Sequence, residues 1–178
     1  DGQTGTTSSG THAYATAGNF TAVLIVTSDN GCTDTAQQTV IVDPLPQVSF
    51  SGPDVCLNDV TVFSNTSTIS SGSISTYAWN FGDGNSSASQ NSSNTYSAPG
   101  VYSVSLTETS DKNCTASASQ NVNVFDVPVA TATSTPACYN EPNGTAIVAV
   151  NAGTPAYTYS WSNGQTTPTA VNLCAASY

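Results

Sequence analysis

Tyr77-Ala78-Trp79-Asn80-Phe81-Gly82-Asp83-Gly84-Asn85 runs from a strand into a tight turn. Tyr77, Trp79 and Phe81 share one parity, so a period of two sets three aromatic rings on a single face. The glycines on either side of Asp83 supply positive φ, and a turn Asp caps backbone N–H groups with its carboxylate. The same pattern continues outward. Val60-Thr61-Val62-Phe63 alternates before it, Tyr102, Val104 and Leu106 alternate after it, and Val122 and Val124 share a face further on. Turn clusters lie between these runs at Ser70 to Ser73, Ala98-Pro99-Gly100 and Asp111-Lys112-Asn113.

A second observation extends the pattern beyond one unit. Residues 1–46 laid without gaps on 83–128 match at fifteen positions, including Asp1/Asp83, Tyr14/Tyr96, Leu24/Leu106, Cys32/Cys114, Val40/Val122 and Val42/Val124. The same offset of 82 carries Cys56 onto Cys138, Trp79 onto Trp161 and Gly82 onto Gly164. Short strands with turns about every 8–12 residues and no helical period predict an all-β chain of tandem immunoglobulin-like antiparallel β-sandwiches. The expected division is the C-terminal half of one unit over 1–46, a whole unit over 47–127 and the N-terminal part of another over 128–178. Half a sandwich exposes strand edges and an open core. Two explanations are carried forward: the chain is a stretch of a longer tandem array, or halves are completed by strand exchange between copies. The connections Asp43-Pro44-Leu45-Pro46 and Asp126-Val127-Pro128 are short and proline-fixed, which predicts a semi-rigid rod.

Composition removes whole classes of function. The 178 residues carry a formal charge of −10, with eleven acids against the single cation Lys112, so no surface can neutralise a phosphate backbone and nucleic acid is excluded as a partner. Unbroken apolar runs such as Ala22 to Val26 fall far short of the roughly 20 residues that cross a bilayer, and no membrane span is expected.

Tyr77 to Gly84, followed by Tyr96, Pro99-Gly100-Val101-Tyr102 and the strand Ser103 to Leu106, resembles a PKD domain. The motif covers the middle unit and the second half of the first. After Trp161 the third unit departs from it, reading Ser162-Asn163-Gly164-Gln165. With Gly144-Thr145-Ala146, Gly153 to Trp161 and Asn172-Leu173-Cys174-Ala175, that unit resembles the SprB repeat of Bacteroidetes surface proteins. The resemblance implies a large exported cell-surface protein, of the kind that includes gliding-motility adhesins and type IX secretion substrates.

Five cysteines without metal-type spacing point to disulfides in an oxidising compartment. The whole unit holds Cys56 and Cys114, whose pairing is expected to stabilise it by roughly 4–5 kcal/mol on the chain-entropy model. Cys138 could pair with Cys174 or with a cysteine beyond Tyr178, and Cys32 with a cysteine upstream of residue 1. Catalytic constellations are not expected. His12 falls in a polar turn, and nothing places Glu108 and Glu141 across a cleft. Asp83, its copy Asp1, and Asp29 and Asp111 read as turn residues, since one carboxylate is too few for a cation wanting 6–8 oxygens. No cofactor is expected, with weak calcium binding between units as the outside case. The aromatic runs Tyr77/Trp79/Phe81 and Tyr157/Tyr159/Trp161 are assigned to cores in preference to sugar-stacking platforms, and Tyr139 and Tyr178 are too scattered to build one. Trp79, Phe81, Gly82, Asp83, Gly84 and Trp161 are therefore structural.

Modification is the better-supported sugar chemistry. Sequons occur at Asn19, Asn65, Asn85, Asn91, Asn113 and Asn143, and Asp34-Thr35-Ala36 resembles a Bacteroidetes O-glycan acceptor centred on Thr35. The expected function is a non-catalytic structural or adhesive segment of a large extracellular surface protein or filament. Its partners would be neighbouring repeats, copies of itself, or surface polysaccharide and glycans. Two rivals are a carbohydrate- or protein-docking spacer in a secreted hydrolase and a self-assembling fibre subunit.

Overall fold

The computed structural model describes residues 2–7, 9–138 and 141–174, all in strands and turns. Asp1, Tyr139 and Tyr178 lie outside the described residues. β1 (Gly18–Thr27) and β2 (Thr33–Val42) form a two-stranded hairpin in unbroken register from Gly18↔Val42 to Thr27↔Thr33.

The next eight strands are β3 (Phe50–Ser51), β4 (Val55–Cys56), β5 (Val60–Asn65), β6 (Ile74–Asn80), β7 (Ser86–Ser87), β8 (Ser92–Thr95), β9 (Gly100–Ser110) and β10 (Thr115–Phe125). They build two sheets, one ordered β4-β10-β9-β6-β7 and the other β3-β5-β8. All pairs are antiparallel except β4 on β10, which is parallel. Facing each other, the two sheets make an immunoglobulin-like sandwich. β11 (Val129–Thr135), β12 (Gly144–Ala152) and β13 (Thr169–Leu173) form a third antiparallel sheet in the order β11-β12-β13.

Parity sets the core. Phe63, Trp79, Phe81, Tyr96, Val104, Leu106, Val122 and Val124 meet between the two central sheets. The Trp79 indole lies 5.0 Å from the Phe50 ring edge-on, 5.6 Å from Phe63 and 6.2 Å from Phe81. Its buried N–H is satisfied, because Nε1 donates to the Ser89 carbonyl at 2.9 Å. Tyr96 stacks on Tyr102 at 4.2 Å and donates its hydroxyl to the Phe81 carbonyl at 3.2 Å. Burying a large apolar side chain contributes ~1.5–3 kcal/mol, so this cluster supplies the main driving force of the central sandwich.

The strand-to-turn stretch behaves as its residues dictate. Phe81 N–H donates to the Asn85 carbonyl, Gly82 N–H to Asn80 Oδ1, and Asn85 N–H to Asp83 Oδ1. Gly82 sits at φ +81°, and a Cβ there would stand 2.8 Å from the Ser103 carbonyl oxygen, so no other residue fits without moving β9.

The two β-hairpin turns are copies. Ser28 N–H donates to the Cys32 carbonyl at 2.8 Å and Ser110 N–H to the Cys114 carbonyl at 2.9 Å. The Ser28 and Ser110 hydroxyl oxygens each accept the N–H of the cysteine four residues on, both at 3.2 Å. Gly31 and Asn113 hold the same left-handed position at φ 79° and 61°.

Candidate functional site

Asp83 sits in the turn that follows β6, held by three hydrogen bonds. Its Oδ2 accepts from Asn94 Nδ2 at 2.7 Å and Asn85 Nδ2 at 2.9 Å, while Oδ1 takes the Asn85 N–H at 2.9 Å. Burial pushes the carboxyl up, but the Asn94 and Asn85 donors outweigh it and hold it below the ordinary carboxylate value. Its oxygens are thus spent on neighbours within the turn. Among the described residues no group of three or more His, Cys, Asp or Glu gathers as a metal site. His12 lies edge-on to Tyr14 at 4.6 Å, in the segment that leads into β1.

Glu108 lies within β9, and its side chain is turned inward. It is 0% exposed, its Oε1 accepts from Asn65 Nδ2 at 2.5 Å, and its Oε2 has no partner. The signal was present in the sequence: Glu108 continues the inward parity of Val104 and Leu106.

Two of the sequon amides are engaged within the fold: half-buried Asn65 donates Nδ2 to the buried Glu108 carboxylate, and exposed Asn85 donates Nδ2 to Asp83 and Asn94. Asn19, Thr35, Asn91, Asn113 and Asn143 are exposed.

The cysteine assignment also changes. Cys56 pairs with Phe125 at the C-terminal end of β10, whereas Cys114 precedes Thr115 at the opposite end. An eleven-residue strand separates them, about 3.3 Å per residue, while a disulfide needs Cα atoms within about 7 Å. The expected Cys56–Cys114 bridge is therefore overturned, and these two are free thiols in the structure. Cys32, in the copied turn, belongs to the same pole as Cys114. Cys138 donates its N–H to Asn143 Oδ1 at 2.9 Å, and Cys174 follows Leu173, the partner of Gly144, so these two flank one end of the third sheet.

Trp79 and Phe81 are in the core, 2% and 1% exposed. Trp161 corresponds to Phe81 and not, as the offset of 82 suggested, to Trp79. Trp161 N–H donates to the Gln165 carbonyl and Gln165 N–H to Asn163 Oδ1, the bonds that Phe81, Asn85 and Asp83 make. Gly164 at φ 84° then matches Gly84 at φ 95°. A two-residue shortening upstream hid this match, and it aligns Tyr157, Tyr159 and Trp161 with Tyr77, Trp79 and Phe81.

Two apolar faces stay open. On the β1–β2 hairpin Leu24 and Val26 are each 58% exposed. In the third sheet a groove of about 720 Å³ runs between Ala132, Ser134, Pro136, Ala146, Trp161 and Leu173. A second recess of about 500 Å³ at the junction is lined by Cys56, Phe125, Pro128, Thr154, Pro155 and Tyr157.

Residues 1–42 and 44–125 match the family model of the PKD domain. The chain belongs to the PKD domain family. A SprB repeat matches 130–166. The chain is similar to the PKD1 domain of Vibrio anguillarum Epp, with 32% identity over 48% of this chain and 99% of that one, TM-score 0.45. It is also similar to the PKD1 domain of the Vibrio cholerae metalloprotease PrtV, with 30% identity over 48% of this chain and 100% of that one, TM-score 0.41. PKD and SprB modules are non-catalytic repeats typical of extracellular proteins. Among the described PKD and SprB residues, no helix is long and apolar enough to cross a membrane.

Proposed function

We propose that this chain is a structural and adhesive segment of a large extracellular surface protein or filament built from tandem β-sandwich repeats. The observation that carries it is the recurrence of one hairpin, β1–β2 and β9–β10, with the same turn bonds and closely matching antiparallel register, beside a third and related sheet. Repetition of a folded brick delivers length and multiple contact points, not a single reacting centre. The division into units at 1–46, 47–127 and 128–178 belongs to the proposal, as does an origin among Bacteroidetes type IX secretion substrates. Cys138 pairs with Cys174 in it, supported by their common position beside Asn143 and Gly144. Sugars at Thr35, Asn19, Asn91, Asn113 and Asn143 would offset the scarcity of ionic groups on the surface.

The test is electron microscopy of the native material with intact-mass measurement. Thin filaments or surface threads of β-sandwich beads, with added hexose mass, are expected; a compact particle with hydrolase activity would defeat the proposal. The similarity to a PKD domain of a metalloprotease supports one alternative, a docking spacer in a secreted hydrolase. Retention of the purified chain on insoluble chitin, cellulose or collagen would favour that alternative.

A further inference from the structure

We propose that the free edge of β10 in the central sandwich pairs antiparallel with the same edge of a second copy, joining the two through one continuous sheet. The surface lies inside the whole unit, and the inference goes beyond the repeat-rod function above by adding a sideways contact between copies.

Hydrogen-bond phase identifies the edge. Ser110 N–H donates to the Cys114 carbonyl, so in the unbroken β9–β10 register the even-numbered residues of β10 bond to β9. The odd-numbered ones turn their N–H and C=O groups outward. Two neighbours agree with this phase: Asn123 N–H donates to Asp54 Oδ1 at 2.7 Å, and Leu57 N–H to the Phe125 carbonyl at 2.8 Å. β4 covers only Val124 and Phe125, and no strand among the described residues lies along Thr115 to Ser119.

The other edges of this sandwich are guarded. β3, β7 and β8 are two to four residues long, and β6 carries an irregularity between Ile74 and Thr76. β10 has eleven residues, no proline, no charged side chain and no bulge. Its outward groups also match their own kind. A register with Ser117 opposite Ser117 sets Thr115 opposite Ser119, odd residue against odd residue, as pairs that exchange both backbone bonds require. Ala116 then meets Ala118, and neither methyl obstructs the approach. A two-fold axis through Ser117 makes the contact self-complementary and closed at two strands.

Charge selects a copy of this chain over any other exposed strand. The same register sets Asn113 opposite Asn121, so the turn tip of each copy abuts the stretch where the other's Asp54 holds Asn123. That tip carries Lys112, the single cation against eleven acids. Lys112 makes only a loose contact with Asp111 at 3.8 Å, and Asp111 Oδ1 is turned back to accept the Ser73 N–H. Two Lys112–Asp54 approaches, one at each end, fix direction and register together. Pairing over so few residues buries less than a stable interface needs, so one contact is weak and gains strength where copies carry several units.

The test follows the purified 178-residue chain, free of sugars because Asn113 borders the contact, by sedimentation and amide hydrogen exchange at rising concentration. Dimers are expected between about 10 µM and 1 mM. Over that range the Thr115, Ser117 and Ser119 amides should slow their exchange at least about threefold, while Ala116 and Ala118, bonded to β9, stay protected throughout. Ser117→Pro removes an N–H that points away from β9 and should abolish dimers. If that variant does not fold, Lys112→Glu in the exposed turn should raise the dimer Kd about three- to tenfold. A chain that stays monomeric at about 1 mM, or dimers that leave the three amides fast and ignore these substitutions, overturns the inference. Neither result touches the repeat-rod function, which hydrolytic activity would sink instead.

Discussion

The β1–β2 and β9–β10 hairpins share sequence landmarks, turn bonds and an equivalent antiparallel register, yet Leu106 is 0% exposed and its copy Leu24 is 58% exposed. Strand and turn are written locally, by alternation, by a serine that clamps the turn and by a residue able to take positive φ. Burial is conferred by other strands: β6 and β4 along the edges of β9–β10, and β3-β5-β8 across its face. Identical local structure can therefore carry very different energies.

The largest expected effect breaks the comparison directly. Leu106→Ala should destabilise the central sandwich by about 2–5 kcal/mol and Trp79→Ala by about 3–5 kcal/mol, whereas Leu24→Ala should change stability by less than about 0.5 kcal/mol in the isolated monomer. Equilibrium denaturation followed by far-ultraviolet circular dichroism measures all three. Equal costs at Leu24 and Leu106 would mean that the first hairpin is covered.

Next comes the polar pair that distinguishes β9 from β1. Glu108→Val, which copies Val26, should cost about 1–3 kcal/mol because Asn65 loses its acceptor, while Glu108→Val with Asn65→Val should recover most of that loss. A double-mutant cycle reads the coupling. Additive single effects would show that the contact at 2.5 Å does not act as a unit.

Gly82→Ala sharpens the comparison at the turn shared by the repeats. A residue other than glycine at φ +81°, pressed on the Ser103 carbonyl, should lose about 1–3 kcal/mol. Gly84→Ala, where nothing lies within 4 Å of the added methyl, should lose less. Thermal melts of both variants decide this.

The smallest effect is titratable. The Asp83 carboxyl is depressed in the folded chain, so it contributes stability above the unfolded carboxylate value near 3.9 and loses it as pH falls through the lower folded value. Asp83→Asn should lower stability at neutral pH by a small amount and flatten the acid limb of a stability-against-pH curve, so that the variant and the unaltered chain converge well below about pH 4. An unaltered acid limb would show that the Asn85 and Asn94 donors do not favour the charged form.

Fold was legible from sequence where one face of a strand is apolar. Trp79, Phe81, Val104 and Leu106 declared their direction by parity, and the 82-residue offset announced the copied hairpin. What failed was information about which end of a strand meets which neighbour. Cys56 and Cys114 belong to one unit, but only the parallel pairing of β4 with β10 shows that they occupy opposite poles. Asn65 and Asn85 satisfy the sequon rule, which does not register a buried carboxylate or a turn network beside the amide. Trp161 was matched to the wrong ring because a fixed offset passes over an indel that hydrogen-bond geometry detects.

At the boundary between the central and third sheets, Asp126 N–H donates to Thr154 Oγ1 at 3.1 Å, Thr154 N–H returns to the Asp126 carbonyl at 3.2 Å, and Gly153 presses against Pro128. In the tandem rod proposed above, this reciprocal clasp would hold these two units at a set swivel angle. Tension along the thread would strain the clasp before any core opened, and the first yield under load would be a loss of pitch instead of unravelling.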